Sequence, residues 1–309
     1  MDGPLRRWGA SAPTSVAVTP TSRVFRVRLG NGTAIVKDLT PIGVEDELRG
    51  ADLLEWRNGS GYVRLLERDN ATLLMEDAGA YSLLDHLDEH GDASATAVAA
   101  EAVARMHSPL ARPMPDALQP LDARFASLFT VARTDANGLF VDAAGVASEL
   151  LSDQRDVRPL HGDFHHENLL LGGRGWLAID PKGLIGDPAY DAANLFYNPV
   201  RRADLRLDPV RIRAMAAALA PAVGRDSGGH RGVDDLFDDG RGQYLGPHGL
   251  RRSVVLRRGR LARPRAYRPS MCRFGPRLNA AAAEQCSRRH SSFATGTRGA
   301  SRADSPGSG

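Results

Sequence analysis

Residues 161–168 read HGDFHHEN, a stretch that holds three histidines, two acidic residues and an amide. The apolar segments VRPL before it and LLL after it predict a loop between two strands. The three histidines (His161, His165 and His166) could bind zinc, but a helical zinc-binding pair needs i, i+4 spacing with further ligands nearby. Zinc binding and a plain polar turn are therefore the two alternatives to a catalytic loop.

Asp163 and Asn168 have the D-x-x-x-x-N spacing of a loop that catalyses phosphoryl transfer. In such a loop the acid orients the attacking hydroxyl and accepts its proton. The amide oxygen binds Mg²⁺, a cation that prefers oxygen ligands. A second metal-binding acid is expected at the end of a nearby strand, where Asp180 follows WLAI. The spacing thus predicts a kinase-like site.

A lysine and a glutamate that suit this site lie upstream. Residues 23–37, RVFRVRLGNGTAIVK, alternate apolar and polar residues around a Gly-Asn-Gly turn, which predicts a β-hairpin that ends at Lys37. The segment GVEDELRGADLLEWRNG, residues 43–59, has helical periodicity with Glu47 on the apolar face. A strand lysine paired with a helical glutamate holds nucleotide phosphates in kinases. Glu45, on a more polar face, is the alternative partner.

Lysine is rare in this chain. Of 40 basic residues only Lys37 and Lys182 are lysines. A lysine retained among so many arginines is a candidate for a role that the broad guanidinium cannot take. Lys182 lies two residues after Asp180 and could contact phosphate, although a surface lysine is the ordinary interpretation.

The rest of the pattern predicts an α+β chain with three regions. Residues 1–77 are expected to form a small, nucleotide-binding β-sheet with one helix. Residues 78–222, rich in helical periodicity, are expected to form a larger catalytic and substrate-binding region. Residues 223–309 show no sustained period and are rich in Arg, Gly, Pro and Ser, which indicates disorder or an out-of-frame product.

Three stretches of the sequence carry a resemblance to a known family. HGDFHHEN resembles the catalytic loop of the aminoglycoside phosphotransferases. GWLAIDPKGLIGDPAYDAANLFYNP (175–199) and DELRGADLLEWRNG (46–59) resemble the streptomycin 6-phosphotransferases of the aminoglycoside/hydroxyurea antibiotic resistance kinase family. The resemblance covers roughly residues 20–222. It implies a protein-kinase-like fold of two lobes that bind ATP and Mg²⁺ between them, and phosphorylation of the 6-hydroxyl of streptidine.

The resemblance also implies a role for individual residues. Asp163 is implied as the catalytic base, with Asn168 and Asp180 as Mg²⁺ ligands. Lys37 would hold the α- and β-phosphates, oriented by Glu47. The adenine would meet backbone groups of the connector Glu76-Asp77-Ala78.

The substrate implied by the resemblance, streptomycin, carries two guanidinium groups and an amine. Residues 1–222 contain 21 Arg, 2 Lys and 30 acidic residues, a net charge of −7 that suits a cationic ligand. The acids closest to the loop in sequence are the candidate contacts: Glu167, Asp187 and Asp191. Asp187, before Pro188, could instead only cap a helix, and Asp191 could bond the catalytic loop.

The tail, residues 223–309, contains 17 Arg, no Lys and seven acidic residues, a net charge of +10. An Arg-rich arm that binds nucleic acid is the alternative to a frame change. The remaining alternatives are a kinase of another small substrate, such as hydroxyurea, and an inactive relative. No apolar run is long enough to span a membrane and no secretory signal is visible, so a cytoplasmic location is expected. The oligomeric state is not predicted.

Overall fold

An antiparallel sheet forms the N-terminal part of the computed structural model, which describes residues 2–135 and 138–225. Its strands lie in the order β1-β2-β3-β5-β4. A short helix, α1 (Asp2–Arg7), precedes the sheet. The strands are β1 (Ala10–Val18), β2 (Ser22–Leu29), β3 (Gly32–Leu39), β4 (Leu65–Asp69) and β5 (Thr72–Glu76). The predicted hairpin is confirmed, since β2 pairs with β3 from Ser22–Leu39 to Leu29–Gly32.

Helix α2 (Pro41–Arg57) connects β3 to β4 and has well-defined ends. Thr40 Oγ1 accepts a hydrogen bond from the Gly43 amide at 3.2 Å, and Pro41 occupies the first turn, where its missing N–H costs nothing. Asn58 ends the helix with φ +46° and donates its amide to Leu54 O at 2.9 Å. The face with Glu47 is buried, as its helical spacing predicts.

The rest of the described chain is mainly helical. Its helices are α3 (Leu83–His90), α4 (Asp92–Met106), α5 (Leu121–Ala132), α6 (Leu139–Ser152), α7 (Ala189–Tyr197), α8 (Ala203–Arg206) and α9 (Pro209–Leu219). Five short strands lie among them: β6 (Gln119–Pro120), β7 (Arg158–Leu160), β8 (Leu169–Gly172), β9 (Gly175–Ala178) and β10 (Leu184–Gly186). They form a small sheet, β6-β10-β7, and the hairpin β8-β9. The main hydrophobic core lies among α2, α4, β8, β9, α7 and α9.

This arrangement brings the ends of several elements together. The stretch HGDFHHEN lies between β7 and β8, and its last residues form a 3₁₀ helix, His166–Asn168. In the β8-β9 hairpin Leu169 is opposite Ala178, so Asn168 lies close to the segment that carries Asp180. The Ile179 amide donates to Asn168 O at 3.0 Å. The predicted order of strand, loop, strand, turn and strand is confirmed.

Residues 1–77 contain a second helix, α1, and an additional strand, β1, where one helix is expected, and α3 is a further unexpected helix after them. Strand β1 was not predicted, because its side chains after Ala10 are exposed and show no alternation; it is held by backbone pairing with β2. Helix α3 is only eight residues long, and its start is fixed locally by a capping box of Ser82 and Asp85. Its buried residues, Leu83 and Leu87, lie four positions apart and pack into the main core.

None of the described helices has the length and apolarity that crossing a membrane requires. Except for residues 223–225, the tail predicted from residue 223 lies outside the described residues, as do the cysteines Cys272 and Cys286. Disorder, a change of reading frame and a nucleic-acid-binding arm therefore stay predictions.

Candidate active site

The loop 161–168 places Asp163 at the edge of the site, half-buried. Its carboxylate Oδ1 accepts a hydrogen bond from Asn194 Nδ2 at 3.1 Å. Its carbonyl oxygen accepts one from Asn168 Nδ2 at 2.8 Å. Gly162 has φ +83°, and a Cβ there would lie 2.6 Å from Leu184 Cγ, so the turn into Asp163 requires glycine. The backbone of this turn thus fixes the position of Asp163, from which its carboxylate extends.

Asp191 lies beneath this loop, with no side-chain exposure. Its Oδ2 accepts from the His161 amide at 2.8 Å and from His107 Nε2 at 2.9 Å, and its Oδ1 accepts from the Gly162 amide at 2.8 Å. Burial favours the neutral carboxyl, but His107, His161 and the loop amides outweigh it and hold the pKa of Asp191 below its ordinary value. Asp191 therefore bonds the loop 161–168, one of its two predicted roles, and its side chain is enclosed in the protein.

His161 is part of the same buried layer, which we call the loop floor (His107, His161 and Asp191). Its Nε2 donates to Ile179 O at 2.8 Å, and its Nδ1 accepts from the Asp163 amide at 3.2 Å. Burial lowers the pKa of His161, so the ring is neutral and both nitrogens are engaged. His161 thus bonds the backbone on both sides of the site, at Asp163 and at Ile179.

The other loop histidines do not form a zinc site with His161. His166 is buried, and desolvation lowers its pKa to about 3. His165 Nδ1 accepts from the Glu167 amide at 3.2 Å. Within residues 2–135 and 138–225, no group of three or more His, Cys, Asp or Glu side chains is arranged to hold a metal ion. The described residues therefore do not support the zinc alternative.

The predicted Mg²⁺ ligands, Asn168 and Asp180, offer oxygen atoms of the right kind. Because Asn168 Nδ2 donates to the Asp163 carbonyl, the amide oxygen is left for a ligand. Asp180 has φ +62°, and its side chain is 41% exposed. The dense protein around it raises the pKa of Asp180, but Lys37 and Lys182 lower it by more, so the carboxyl is ionised. Two protein oxygens completed by phosphates suit Mg²⁺.

Lys37, on strand β3, contacts both helix α2 and the segment after β9. Its Nζ lies 2.6 Å from Glu47 Oε2 and also contacts Asp180 Oδ1. Lys37 and Glu47 are both buried, while Glu45 is exposed. The structure thus brings together the lysine, the helical glutamate and one predicted metal ligand, and it places Glu47 rather than Glu45 beside Lys37.

Lys182 joins the same group from the other side. Its Nζ donates to Glu47 Oε1 at 2.8 Å and lies 3.4 Å from Asp46 Oδ2. Burial lowers the pKa of Lys182, but Glu47 and Asp180 raise it by more, so the amine stays charged. We call Lys37, Glu47, Asp180 and Lys182 the ion-pair cluster. The two lysines of the chain both belong to it.

The connector after β5 carries the predicted adenine contacts, Glu76 and Ala78, and is held by two arginines. Arg174 Nε donates to Glu76 Oε1 at 2.9 Å. Arg26 Nε donates to Asp77 Oδ2 at 2.7 Å. Ala78 is buried. The Glu76 side chain is therefore bound within the protein, and the backbone is the part of the connector that could meet a base.

The other candidate substrate acids differ in availability. Glu167 is exposed beside the loop. Asp187 Oδ1 accepts from the Ala189 amide at 2.9 Å, at the start of α7, and its Oδ2 accepts from the Arg155 amide at 2.9 Å. Asp187 thus caps a helix, as its sequence position before Pro188 suggests. Of the three candidates, Glu167 is the one whose side chain faces solvent.

Asn194 was missed by the sequence analysis, although it contacts the Asp163 carboxylate. It lies one turn after Asp191 on α7, on the same helix face, and both residues are buried. Buried polar residues three positions apart on a helix that follows the loop are a signal that could have found it.

The part of the chain that carries these residues matches a known family. The model of the family "Aminoglycoside/hydroxyurea antibiotic resistance kinase" matches residues 7–230. A streptomycin 3''-kinase of Klebsiella pneumoniae is 40% identical over 197 residues, which are 63% of this chain and 72% of that protein. A streptomycin 6-kinase of Streptomyces glaucescens is 35% identical over 198 residues, 60% of this chain and 62% of that protein. The chain thus spans less than two thirds of the second relative.

Among solved structures, an aminoglycoside-3'-phosphotransferase of type VIII superposes with a TM-score of 0.52. The two chains are 18% identical, and the match covers 72% of this chain and 91% of that one. At this identity the likeness concerns the fold alone. It confirms the predicted α+β, protein-kinase-like fold with a small sheet-rich part and a larger helical part.

Proposed function

The chain belongs to the aminoglycoside/hydroxyurea antibiotic resistance kinase family, and we propose from this membership that it phosphorylates streptomycin with ATP, which confers resistance. The observation that carries the proposal is the meeting of three elements at Lys37: its own strand β3, helix α2 through Glu47, and the segment after β9 through Asp180. Such a group serves phosphoryl transfer, since it gathers charges that suit phosphates and a metal ion.

In this proposal Asp163 accepts the proton that the substrate hydroxyl loses as its oxygen bonds to the γ-phosphorus, while the bond from that phosphorus to the β,γ-bridging oxygen breaks and ADP leaves. Asn194 holds one oxygen of the Asp163 carboxylate, which orients the other toward the substrate. Lys37 exchanges its contact with Asp180 for the α- and β-phosphates, while Glu47 keeps its Nζ in place. The adenine edge bonds the backbone of the connector at Glu76 and Ala78.

Asn168 and Asp180 would hold Mg²⁺, which neutralises phosphate charge when bound. The protein prepares for it by fixing the Asn168 amide through its bond to the Asp163 carbonyl. The ionised Asp180 carboxylate would suit Mg²⁺ as well as it suits the Lys37 amine.

We further propose that the accepting group is the 6-hydroxyl of streptidine, with Glu167 as the acid best exposed to contact a guanidinium of the substrate. The Streptomyces relative, a streptomycin 6-kinase, supports this choice. The Klebsiella relative favours the 3''-hydroxyl as the second candidate, because it is a 3''-kinase of higher identity. Hydroxyurea is the remaining candidate substrate, on the family's name.

The test is ADP release by the full 309-residue chain, measured with ATP, Mg²⁺ and either streptomycin or hydroxyurea. We expect release that requires streptomycin. Asp163→Ala should lower turnover by about 10²- to 10⁴-fold, the usual contribution of general-base catalysis, with nearly unchanged affinity for ATP. Asp153→Ala, which removes an exposed carboxylate just after α6, is the matched control and should keep full turnover.

Two outcomes would contradict the proposal. Undiminished turnover in Asp163→Ala would show that Asp163 is not the base. ADP release with hydroxyurea but not with streptomycin would show that hydroxyurea is the substrate. Proton–phosphorus correlation NMR of the product identifies the phosphorylated hydroxyl and so decides between the 6- and 3''-positions.

A further inference from the structure

Both lysines of the chain meet at one carboxylate. Lys37 Nζ lies 2.6 Å from Glu47 Oε2, and Lys182 Nζ lies 2.8 Å from Glu47 Oε1. Each oxygen of Glu47 thus faces a different lysine. Of the 40 lysine and arginine residues in the sequence only two are lysines, and these two lie far apart in sequence but meet at Glu47. Lys37 alone would neutralise the charge of Glu47, so Lys182 is expected to have a different role.

The segment that carries Lys182 is packed against α2 backbone to backbone. A Cβ on Gly50 would lie 1.9 Å from Pro181 O, and a Cβ on Gly183 would lie 2.4 Å from Arg49 O. Residues 181–183 and α2 thus lie so close that neither glycine has room for a Cβ. Lys182 lies in this closely packed segment and reaches Glu47 on α2.

The contacts of Lys182 argue against a direct phosphate contact. Its Nζ already lies beside two carboxylates, Glu47 and Asp46, and its side chain is 10% exposed. Lys37, by contrast, contacts Asp180, whose carboxylate is 41% exposed. The two lysine side chains are almost equally buried, 6% and 10% exposed, so they differ in their partners: Lys37 contacts the predicted Mg²⁺ ligand Asp180, and Lys182 lies beside the other oxygen of Glu47.

We infer that Lys182 is a positioning residue, which holds Glu47 Oε1 so that Oε2 faces Lys37 and keeps Lys37 directed at the nucleotide phosphates. The inference rests on the proposed function for its last step. The terminal torsion of a glutamate rotates in a broad well, so a single partner leaves the carboxylate free to turn. Lys37 is also drawn to Asp180, and the second lysine keeps Glu47 in position while that contact changes.

The first experiment is NMR of the full chain labelled with ¹³C at lysine Cε. Because the chain has two lysines, the spectrum contains two lysine signals, and Lys37→Arg assigns them. In Lys182→Met without nucleotide, we expect the Lys37 signal to move and broaden as Glu47 is released. In the control Arg124→Met it should stay in place. Arg124 donates to Asp46 Oδ1 at 2.7 Å, so this control removes a cation that holds α2 beside Glu47.

The second experiment is steady-state kinetics of the same variants. Groups that orient a ligand-binding residue typically contribute about 10- to 100-fold in affinity or activity. We expect Lys182→Met to raise KM for ATP by about that factor with a smaller change in kcat, and Arg124→Met to leave both within about twofold. In a Glu47→Gln background the effect of Lys182→Met should largely vanish, because the two residues act in sequence.

An unmoved Lys37 signal in Lys182→Met, or an equal movement in Arg124→Met, would overturn the inference. The NMR comparison needs neither nucleotide nor streptomycin, so it decides on Lys182 even if the kinase assay is negative; that result would contradict the proposed function instead. If Lys182→Met does not fold, Lys182→Gln gives the same decision, since its neutral amide keeps a polar group at this position but cannot form an ion pair with Glu47.

Discussion

Two groups of polar residues flank the catalytic loop, and they are built in opposite ways. In the loop floor, Asp191 accepts hydrogen bonds from His107 and from two backbone amides and has no exposed surface. In the ion-pair cluster, the charges are paired with one another, and the Asp180 carboxylate is 41% exposed. In the floor both oxygens of Asp191 already accept hydrogen bonds, whereas the cluster has partners that phosphates and a cation can replace.

This difference separates stability from binding. A buried carboxylate that accepts fixed donors holds the loop in one conformation, and its loss leaves several donors unsatisfied. Charges that face an open side contribute less to folding, because water can replace a lost partner. We therefore expect floor substitutions to lower the free energy of unfolding, and substitution of Asp180, the exposed member of the cluster, to lower mainly the affinity for nucleotide.

The largest effect is expected for Asp191→Ala. Removing one partner from a buried pair typically costs about 3–5 kcal/mol, and here two loop amides also lose their acceptor. Urea unfolding followed by circular dichroism measures the loss, and Asp191→Asn should retain part of the stability. The companion variant Asp180→Ala should change the free energy of unfolding by less than about 1 kcal/mol. Similar losses in both variants would erase the distinction between floor and cluster.

The next effect concerns the backbone contact that supports the cluster. Gly50→Ala places a Cβ 1.9 Å from Pro181 O, so α2 must move away from the segment that carries Lys182. Overpacking of this kind typically costs about 1–3 kcal/mol. Gly145→Ala in α6 is the matched control, because its Cβ meets no atom within 4 Å. That control should gain up to about 1 kcal/mol from helix propensity. Equal thermal midpoints for the two variants would show that α2 is not tightly seated.

The two groups also differ in how far the sequence predicts them. Lys37, Glu47 and Asp180 follow from local patterns, since each lies in or near the end of a strand or on a helix face of clear period. Asn194 and the role of Lys182 depend on contacts between segments more than 30 and 130 residues apart in sequence. Such pairings are set by tertiary packing, which periodicity does not report.

The fold shows the same limit. The hairpin β2-β3 and helix α2 carry strong alternation, a turn and caps, so they follow from sequence. Strand β1 exposes most of its side chains, and β10 has three residues, so neither has a pattern of its own. Both exist because neighbouring strands offer free backbone groups. Elements held by backbone pairing alone are therefore the ones that sequence patterns miss.

The pH dependence of stability should report on the floor through His161. Its folded pKa is lowered by burial, so the unfolded chain binds the proton more readily. The stability is fully present above the unfolded value of about 6.5 and falls as the pH drops below it, by up to about 1.4 kcal/mol per pH unit. Unfolding measured at pH 7.0, 6.0 and 5.5 gives this slope. His166, whose pKa is lowered to about 3, adds to it.

His161→Asn should reduce that slope, whereas His90→Asn, at an exposed position on α3, should leave it unchanged. A slope that is the same in wild type and His161→Asn would show that protonation of the floor does not limit stability in acid.

The smallest effect is expected at the connector, where charges are paired but partly exposed. Arg26 bonds Asp77 through Nε at 2.7 Å, and the arginine side chain is 38% exposed. Arg26→Ala should cost only about 0.2–1 kcal/mol, since exposed ion pairs are screened by water and salt. The loss should shrink further in 1 M NaCl, where the Debye length is about 3 Å. Urea unfolding at low and high salt measures both values. A loss that exceeds 2 kcal/mol and persists in salt would place the connector with the floor, and would show that its backbone is held as rigidly as the catalytic loop.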